Sequence, residues 1–269
     1  MIEIIRQSPT QNGQLKVAIF DFDGTISTLR HGWEQVMGPM MIEMICGEHE
    51  PTDQIVSEVW EYIDQSTGIQ TIYQMQWLRE AVRRHGLNPV VHDAWWYKGE
   101  YNRRLMARVD KRLEELNSGR AQAEDFMIAG SAEFIQTLAE RGIEVHIASG
   151  TDHPDVVNEA RALGLLESFA QVSGAPVDRA DCSKEAVIRN LIEGRGLSGS
   201  ELLVVGDGKV EIALGKKAGA AALGVASDEV NRRGINPQKR NRLLAAGSDA
   251  IVGDFTDPAS ILSWLGFAE

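Results

Sequence analysis

The chain has 269 residues, 43% hydrophobic and 25% charged, with 26 Gly, 8 Pro and 2 Cys. This composition excludes disordered, collagen-like and disulfide-scaffold classes and suits one large or two modest globular domains. Lys and Arg number 27 against 39 Asp and Glu, a formal net charge of -12, and that field repels nucleic acid and anionic membranes and argues against both as partners.

Cys46 and Cys182 are far apart and lack zinc-site spacing, so neither a disulfide framework nor a structural metal is expected. The first residues lack a basic stretch leading into an apolar run, and no apolar run is long enough to span a bilayer. The expectation is therefore a cytoplasmic protein without a membrane span.

In chain order, the first apolar run, 15–20, is followed directly by Asp21-Phe22-Asp23-Gly24-Thr25. The character then changes: all four Tyr, five of the six Trp and six of the eight Met fall between 28 and 125, which marks a separate environment. There, Val56, Val59, Trp60 and Ile63, and again Ile72, Met75, Leu78 and Val82, recur at helical steps. The pattern predicts helices over 33–46, 53–65, 69–85 and 93–117, broken at Gly47, Gly68, the Gly86-Leu87-Asn88-Pro89 turn and Gly119.

Beyond 125, short apolar runs at 143–148, 202–205, 221–226 and 250–252 alternate with helical segments at 132–140, 154–163, 184–192 and 211–218. Gly142, Gly164, Gly194 and Gly219 stand where C-terminal caps belong. The fold class expected is α/β: a doubly wound, Rossmann-like parallel sheet built from 1–27 and 126–269, interrupted by an all-helical cap domain at 28–125.

Ligands of such sheets collect at the carboxyl ends of strands. Asp21 and Asp23 follow the first run, Ser149-Gly150-Thr151 the run at 143–148, and Gly206-Asp207-Gly208, with Glu211 one turn on, the run at 202–205. Lys184 opens a helix after the cap-type residues Asp181 and Ser183, where a cation works against the helix dipole and suggests a nearby anion. Four carboxylates and a lysine on one rim call for a divalent cation, Mg²⁺, and an anionic phosphoryl group. Alternation places Asp21 and Asp23 on one side, nucleophile beside leaving group, and Gly24 permits a tight turn. Ser149 and the amides around Gly150, before a helix opened by Pro154, suit a phosphate oxygen. Taken singly, Asp before Gly also suits an ordinary turn, and Lys184 a solvated helix face.

In order and spacing these segments resemble the four signature motifs of the haloacid dehalogenase-like hydrolase superfamily. Asp21-Phe22-Asp23-Gly24-Thr25 is similar to its D-x-D-G-T motif, Ser149-Gly150 to the second, Lys184 to the third, and Gly206-Asp207-Gly208-Lys209-Val210-Glu211 to the fourth. The branch resembled is that of phosphatases with a helical cap inserted after the first motif, such as phosphoglycolate phosphatase and β-phosphoglucomutase.

The resemblance implies that Asp21 attacks phosphorus to form an aspartyl-phosphate, and that Asp23 protonates the leaving oxygen and later activates water. It assigns Mg²⁺ to the Asp21 carboxylate, the Asp23 carbonyl, Asp207 and Glu211, the last directly or through water, since Asp is common where Glu211 stands. Ser149 and Lys184 hold the transferring oxygens, with Phe22, Thr25 and Gly150 lining the phosphate position. True dehalogenases and phosphonatases lack the second carboxylate, so Asp23 favours phosphatase chemistry on a small phosphorylated metabolite, a sugar or polyol phosphate by default. A phosphomutase, or a phospholigand-binding protein on the same fold, is the alternative; oligomeric state is open.

Substrate choice then belongs to the cap. Arg30, His31 and Trp33 follow the first motif closely enough to reach the site, although Trp33 also suits the cap core. Arg79, Arg83 and Arg84, or Arg103, Arg104 and Arg108, could meet a second anionic group or form solvated faces paired with Glu80, Glu100 and Glu114. The cap's Met and Trp are expected in its core.

Overall fold

A computed structural model of the chain describes residues 1–10, 14–180 and 184–267, with the side chains at 184, 185, 191 and 195 outside that description. Contacts divide the chain into two compact units, Met1–His31 with Leu113–Glu269, and Gly32–Arg112.

The first unit is built on a seven-stranded sheet ordered β1-β7-β6-β5-β2-β3-β4. The strands are β1 (Glu3–Ile4), β2 (Val17–Phe20), β3 (Glu144–Asp152), β4 (Gln171–Ala175), β5 (Leu202–Gly206), β6 (Ala221–Val225) and β7 (Ala250–Val252). All pairings are parallel except β1 with β7. β2, β5, β6 and β7 are buried along their whole length, which is why they read as unbroken apolar runs: helices cover both faces of a parallel sheet.

The helices of this unit are α5 (Ser131–Glu140), α6 (His153–Ala162), α7 (Lys184–Arg195), α8 (Lys209–Lys217), α9 (Pro237–Ala246) and α10 (Pro258–Trp264). Val17, Ile19, Leu202 and Val204 pack with Ile188 of α7 on one face, while Phe20 meets Phe134 of α5 and Phe255 on the other. That alternation within β2 is the doubly wound arrangement in miniature. Trp264 donates its indole N–H to the Arg6 carbonyl at 3.1 Å.

The second unit holds α1 (Glu34–Cys46), α2 (Asp53–Gln65), α3 (Thr71–His85) and most of α4 (Ala94–Asn117). Its core contains Met37, Met40, Met41, Met75, Leu78, Tyr97 and Val109. Cys46 is a buried free thiol; Cys182 lies outside the described residues. The tryptophans depart from the core expectation: Trp60, Trp95 and Trp96 are exposed, and Trp33 is half-buried. Trp60 lies across Gly38, where a Cβ would come within 2.7 Å of its ring.

Other differences from the sequence reading have physical reasons. β3 continues beyond the run expected to end at 148, through Ser149, Gly150 and Thr151 to Asp152, because pairing with β4 resumes at Asp152 with Ala175 after a register shift. α7 runs through Gly194 to Arg195, and the left-handed residue past its end is Gly196, with φ of 61°. Strands β1 and β4 and helices α9 and α10 were not anticipated.

Candidate active site

The strand order turns about β2, which pairs with β3 on one side and β5 on the other. The carboxyl ends of these three strands are therefore neighbours, and they carry the first, second and fourth sequence motifs. The Asp21 N–H donates to the Val205 carbonyl at 2.9 Å, tying the first motif to the strand that leads to Asp207. The chain then reverses: the Phe22 carbonyl accepts the Ile26 and Ser27 N–H groups, each at 2.9 Å, and the Gly24 N–H donates to Ser27 at 2.8 Å.

Gly24 sits at φ +73°, and a Cβ there would lie 2.9 Å from Asp207 Cγ and 3.0 Å from Lys239 Nζ. Both the conformation and the space require glycine. Phe22 and Thr25 are fully buried.

Asp21, Asp207 and Glu211 are all buried, and one oxygen from each lies within 4.8 Å of the others. Three hard carboxylate oxygens at that separation fit a small divalent cation. Glu211, in the first turn of α8, also accepts the Gly208 N–H at 2.6 Å, which fixes its carboxylate at the helix N-terminus.

Asp23 stands beside this trio rather than in it. Its Oδ2 accepts the Thr151 hydroxyl at 2.8 Å, and its Oδ1 is buried with no hydrogen-bond partner among the described residues. Burial pushes the carboxyl of Asp23 above the ordinary range, against the charge of Arg30 and the Thr151 hydrogen bond. Burial also raises Asp207, against Lys239.

Ser149 is buried, and its hydroxyl oxygen accepts the Thr151 N–H at 3.0 Å. The bulged end of β3 thus supplies both Ser149 and the Thr151 that holds Asp23. Gly150, between them, is half-buried. Lys184 begins α7, but its side chain lies outside the described residues.

Arg30, which follows the first motif, is paired with two acids of α6. It is buried, with Nε and Nη2 donating to Glu159 Oε1 at 2.9 and 2.6 Å and Nη2 to Asp155 at 3.0 Å. Burial lifts the Glu159 carboxyl to about 7 despite Arg30. The cap arginines are largely paired in place: Arg83 with Glu80, Arg103 with Glu100, and Arg104 with both Glu100 and Glu43. Arg84 pairs with Glu58.

Sequence reasoning missed Lys239, Glu229 and Ser227. Lys239, on the first turn of α9, donates to Asp207 Oδ2 at 2.6 Å, Glu229 Oε1 at 2.6 Å and Ser227 Oγ at 3.0 Å. Ser227 in turn donates to the Gly24 carbonyl at 2.5 Å, and His31 Nδ1 lies 3.4 Å from Glu229 Oε2. Burial alone would raise Glu229, but the His31 hydrogen bond and the Lys239 charge hold it at about 2. The signal for Lys239 was present: Asn236 caps α9 and Pro237 opens it, the setting that drew attention to Lys184.

Compared with known proteins, residues 15–219 match the model of the haloacid dehalogenase-like hydrolase family. A phosphoglycolate phosphatase of Rhodospirillum rubrum is 26% identical over 140 residues, 52% of this chain and 53% of that protein. The chain spans about half the length of the curated relatives it matches. Among solved structures, a predicted phosphoglycolate phosphatase from Haemophilus somnus superposes with a TM-score of 0.62 at 17% identity, covering 92% of this chain and 98% of that one. A β-phosphoglucomutase from Clostridium difficile gives 0.61 at 13% identity, covering 93% and 97%. At these identities the two likenesses bear on the fold alone.

Proposed function

Since the chain belongs to the haloacid dehalogenase-like hydrolases, we propose that it is a Mg²⁺-dependent phosphatase acting on a small phosphorylated metabolite, a sugar or polyol phosphate by class. The observation that carries this reading is the convergence of buried Asp21, Asp207 and Glu211 beside an Asp23 held at Oδ2 by Thr151. The phosphatase named among its relatives, the Rhodospirillum rubrum protein, supports it.

In this reading an Asp21 carboxylate oxygen attacks phosphorus, the ester P–O bond breaks, and the leaving alkoxide takes a proton from Asp23. The Asp23 carboxylate then accepts a proton from water, which attacks the aspartyl-phosphate, releases inorganic phosphate and restores Asp21. Thr151 fixes Asp23 by one oxygen, leaving Oδ1 to carry the proton in both steps. Asp21, Asp207 and Glu211 would hold the cation, with the Asp23 carbonyl. When bound, the cation offsets the charge of these carboxylates and of the phosphoryl oxygens. Ser149, the Gly150 amide and Lys184 are the proposed ligands of those oxygens, alongside the backbone at Phe22 and Thr25. Buried Arg30 serves the scaffold rather than the substrate.

The test is inorganic phosphate release from a panel of phosphorylated sugars, polyols, amino acids and nucleotides, with Mg²⁺ and with chelator, by wild type and Asp21→Asn. Metal-dependent release by wild type and none by Asp21→Asn at unchanged thermal stability is the expected result. Release by Asp21→Asn at the wild-type rate refutes the nucleophile. Isomerised organic phosphate without inorganic phosphate identifies a mutase instead.

A further inference from the structure

Lys239 is buried, and each of its three N–H groups has an acceptor: Asp207, Glu229 and Ser227. No N–H remains for a phosphoryl oxygen, so its role runs through the groups it holds. The arrangement is built from several sides. Asn236 Oδ1 accepts the backbone N–H of Lys239 at 3.1 Å and fixes the start of α9. Ser227 links the ammonium to the Gly24 carbonyl, and the missing side chain of Gly24 is what leaves room for the Lys239 and Asp207 pair.

The consequence falls on Asp207. Its Oδ2 accepts from the ammonium at 2.6 Å, so a cation that gripped both oxygens of this carboxylate would have to share Oδ2 with Lys239. Mg²⁺ requires near-octahedral coordination and takes carboxylates by single oxygens, whereas Ca²⁺ accepts both oxygens of one carboxylate and higher coordination numbers. We propose that Lys239 is a positioning residue that makes this site select Mg²⁺ over Ca²⁺, by denying Asp207 a two-oxygen grip on the larger ion. The inference rests on the cation reading given under Proposed function.

The experiment is calorimetric titration of the whole chain with MgCl₂ and, separately, with CaCl₂, for wild type, Lys239→Met and Lys239→Arg. Removing the ammonium also removes its repulsion of any cation, but that effect is common to two ions of equal charge. The ratio of the two dissociation constants therefore reads the geometry of Asp207. Loss of an outer-sphere partner of a metal ligand typically changes metal affinity by about 10 to 100-fold, so Lys239→Met is expected to shift the ratio at least about tenfold towards Ca²⁺. Lys239→Arg, which keeps a charged donor, is expected to hold the wild-type ratio.

An unchanged ratio in Lys239→Met, or an equal shift in both variants, overturns this inference alone. Tighter binding of Ca²⁺ than of Mg²⁺ by wild type also overturns it, and that measurement stands even where Lys239→Met does not fold. Failure of wild type to bind either ion overturns the cation reading together with the inference.

Discussion

Arg30→Met removes the cation that two N–H groups aim at Glu159 Oε1, at 2.9 and 2.6 Å, in a site where Glu159 is 1% exposed. The carboxylate left behind is buried, and its Oε2 has no hydrogen-bond partner among the described residues even with Arg30 present. Breaking one side of such a pair costs about 3–5 kcal/mol, whereas replacing both sides with apolar groups of similar volume is often close to neutral. Asp155 is less affected because it is 31% exposed and can be hydrated.

At about pH 8, where Glu159 is ionised beside Arg30, the expected pattern is a loss of about 3–5 kcal/mol in Arg30→Met and recovery of most of it in Arg30→Met with Glu159→Met. Urea unfolding followed by far-UV circular dichroism measures both. The pH dependence supplies a second check. Glu159 sits at about 7 in the folded protein, above the unfolded value of about 4.3, so the native state holds the extra proton and stability falls as pH rises through that window. Without Arg30 the carboxyl moves higher still, so the cost of Arg30→Met is expected to be larger at about pH 8 than at about pH 5. A single variant costing under about 1 kcal/mol, or a double variant as unstable as the sum of its parts, refutes the paired-burial argument.

Two further outcomes follow from the same contacts. Gly24→Ala forces a Cβ into a left-handed residue 2.9 Å from Asp207 Cγ, with about 1–2 kcal/mol lost to conformation alone; phosphate release is expected to fall more steeply than thermal stability, and wild-type release would count against the turn as the spacer of Asp207. Glu229 is held at about 2 when folded, below its unfolded value of about 4.3, so its stabilising contribution, about 3 kcal/mol, is present above the unfolded value and lost as pH falls towards the folded one. Glu229→Gln should therefore lower stability at neutral pH and flatten the acid limb of the stability curve; an acid limb identical to wild type in a pH series of unfolding midpoints contradicts this.

The rim of the sheet was legible because its strands are buried on both faces and so spell apolar runs that stop at Asp21, Ser149 and Asp207. What escaped was structure stabilised by partners distant in sequence. β4, Gln171–Ala175, is an edge strand with mostly half-buried residues and no apolar run; β1 exists only through its antiparallel pairing with β7. Glu229 and Ser227 carry no local pattern, since their role comes from Lys239 arriving on α9. Arg30 was legible as near the first motif, but the burial that turns it inward to Glu159 is a property of the packed molecule. Lys239 alone had a readable signal, the Asn236 and Pro237 start of its helix.

The distribution of tryptophan gives the two units separate optical signatures. Trp33, Trp60, Trp77, Trp95 and Trp96 belong to Gly32–Arg112, and Trp264 is the sole indole of the other unit. A Trp264→Phe protein would therefore emit from the helical unit alone, and the difference spectrum against wild type would isolate the sheet-bearing unit. Melting of each unit could then be followed in the intact chain with its own chromophores, without an attached dye.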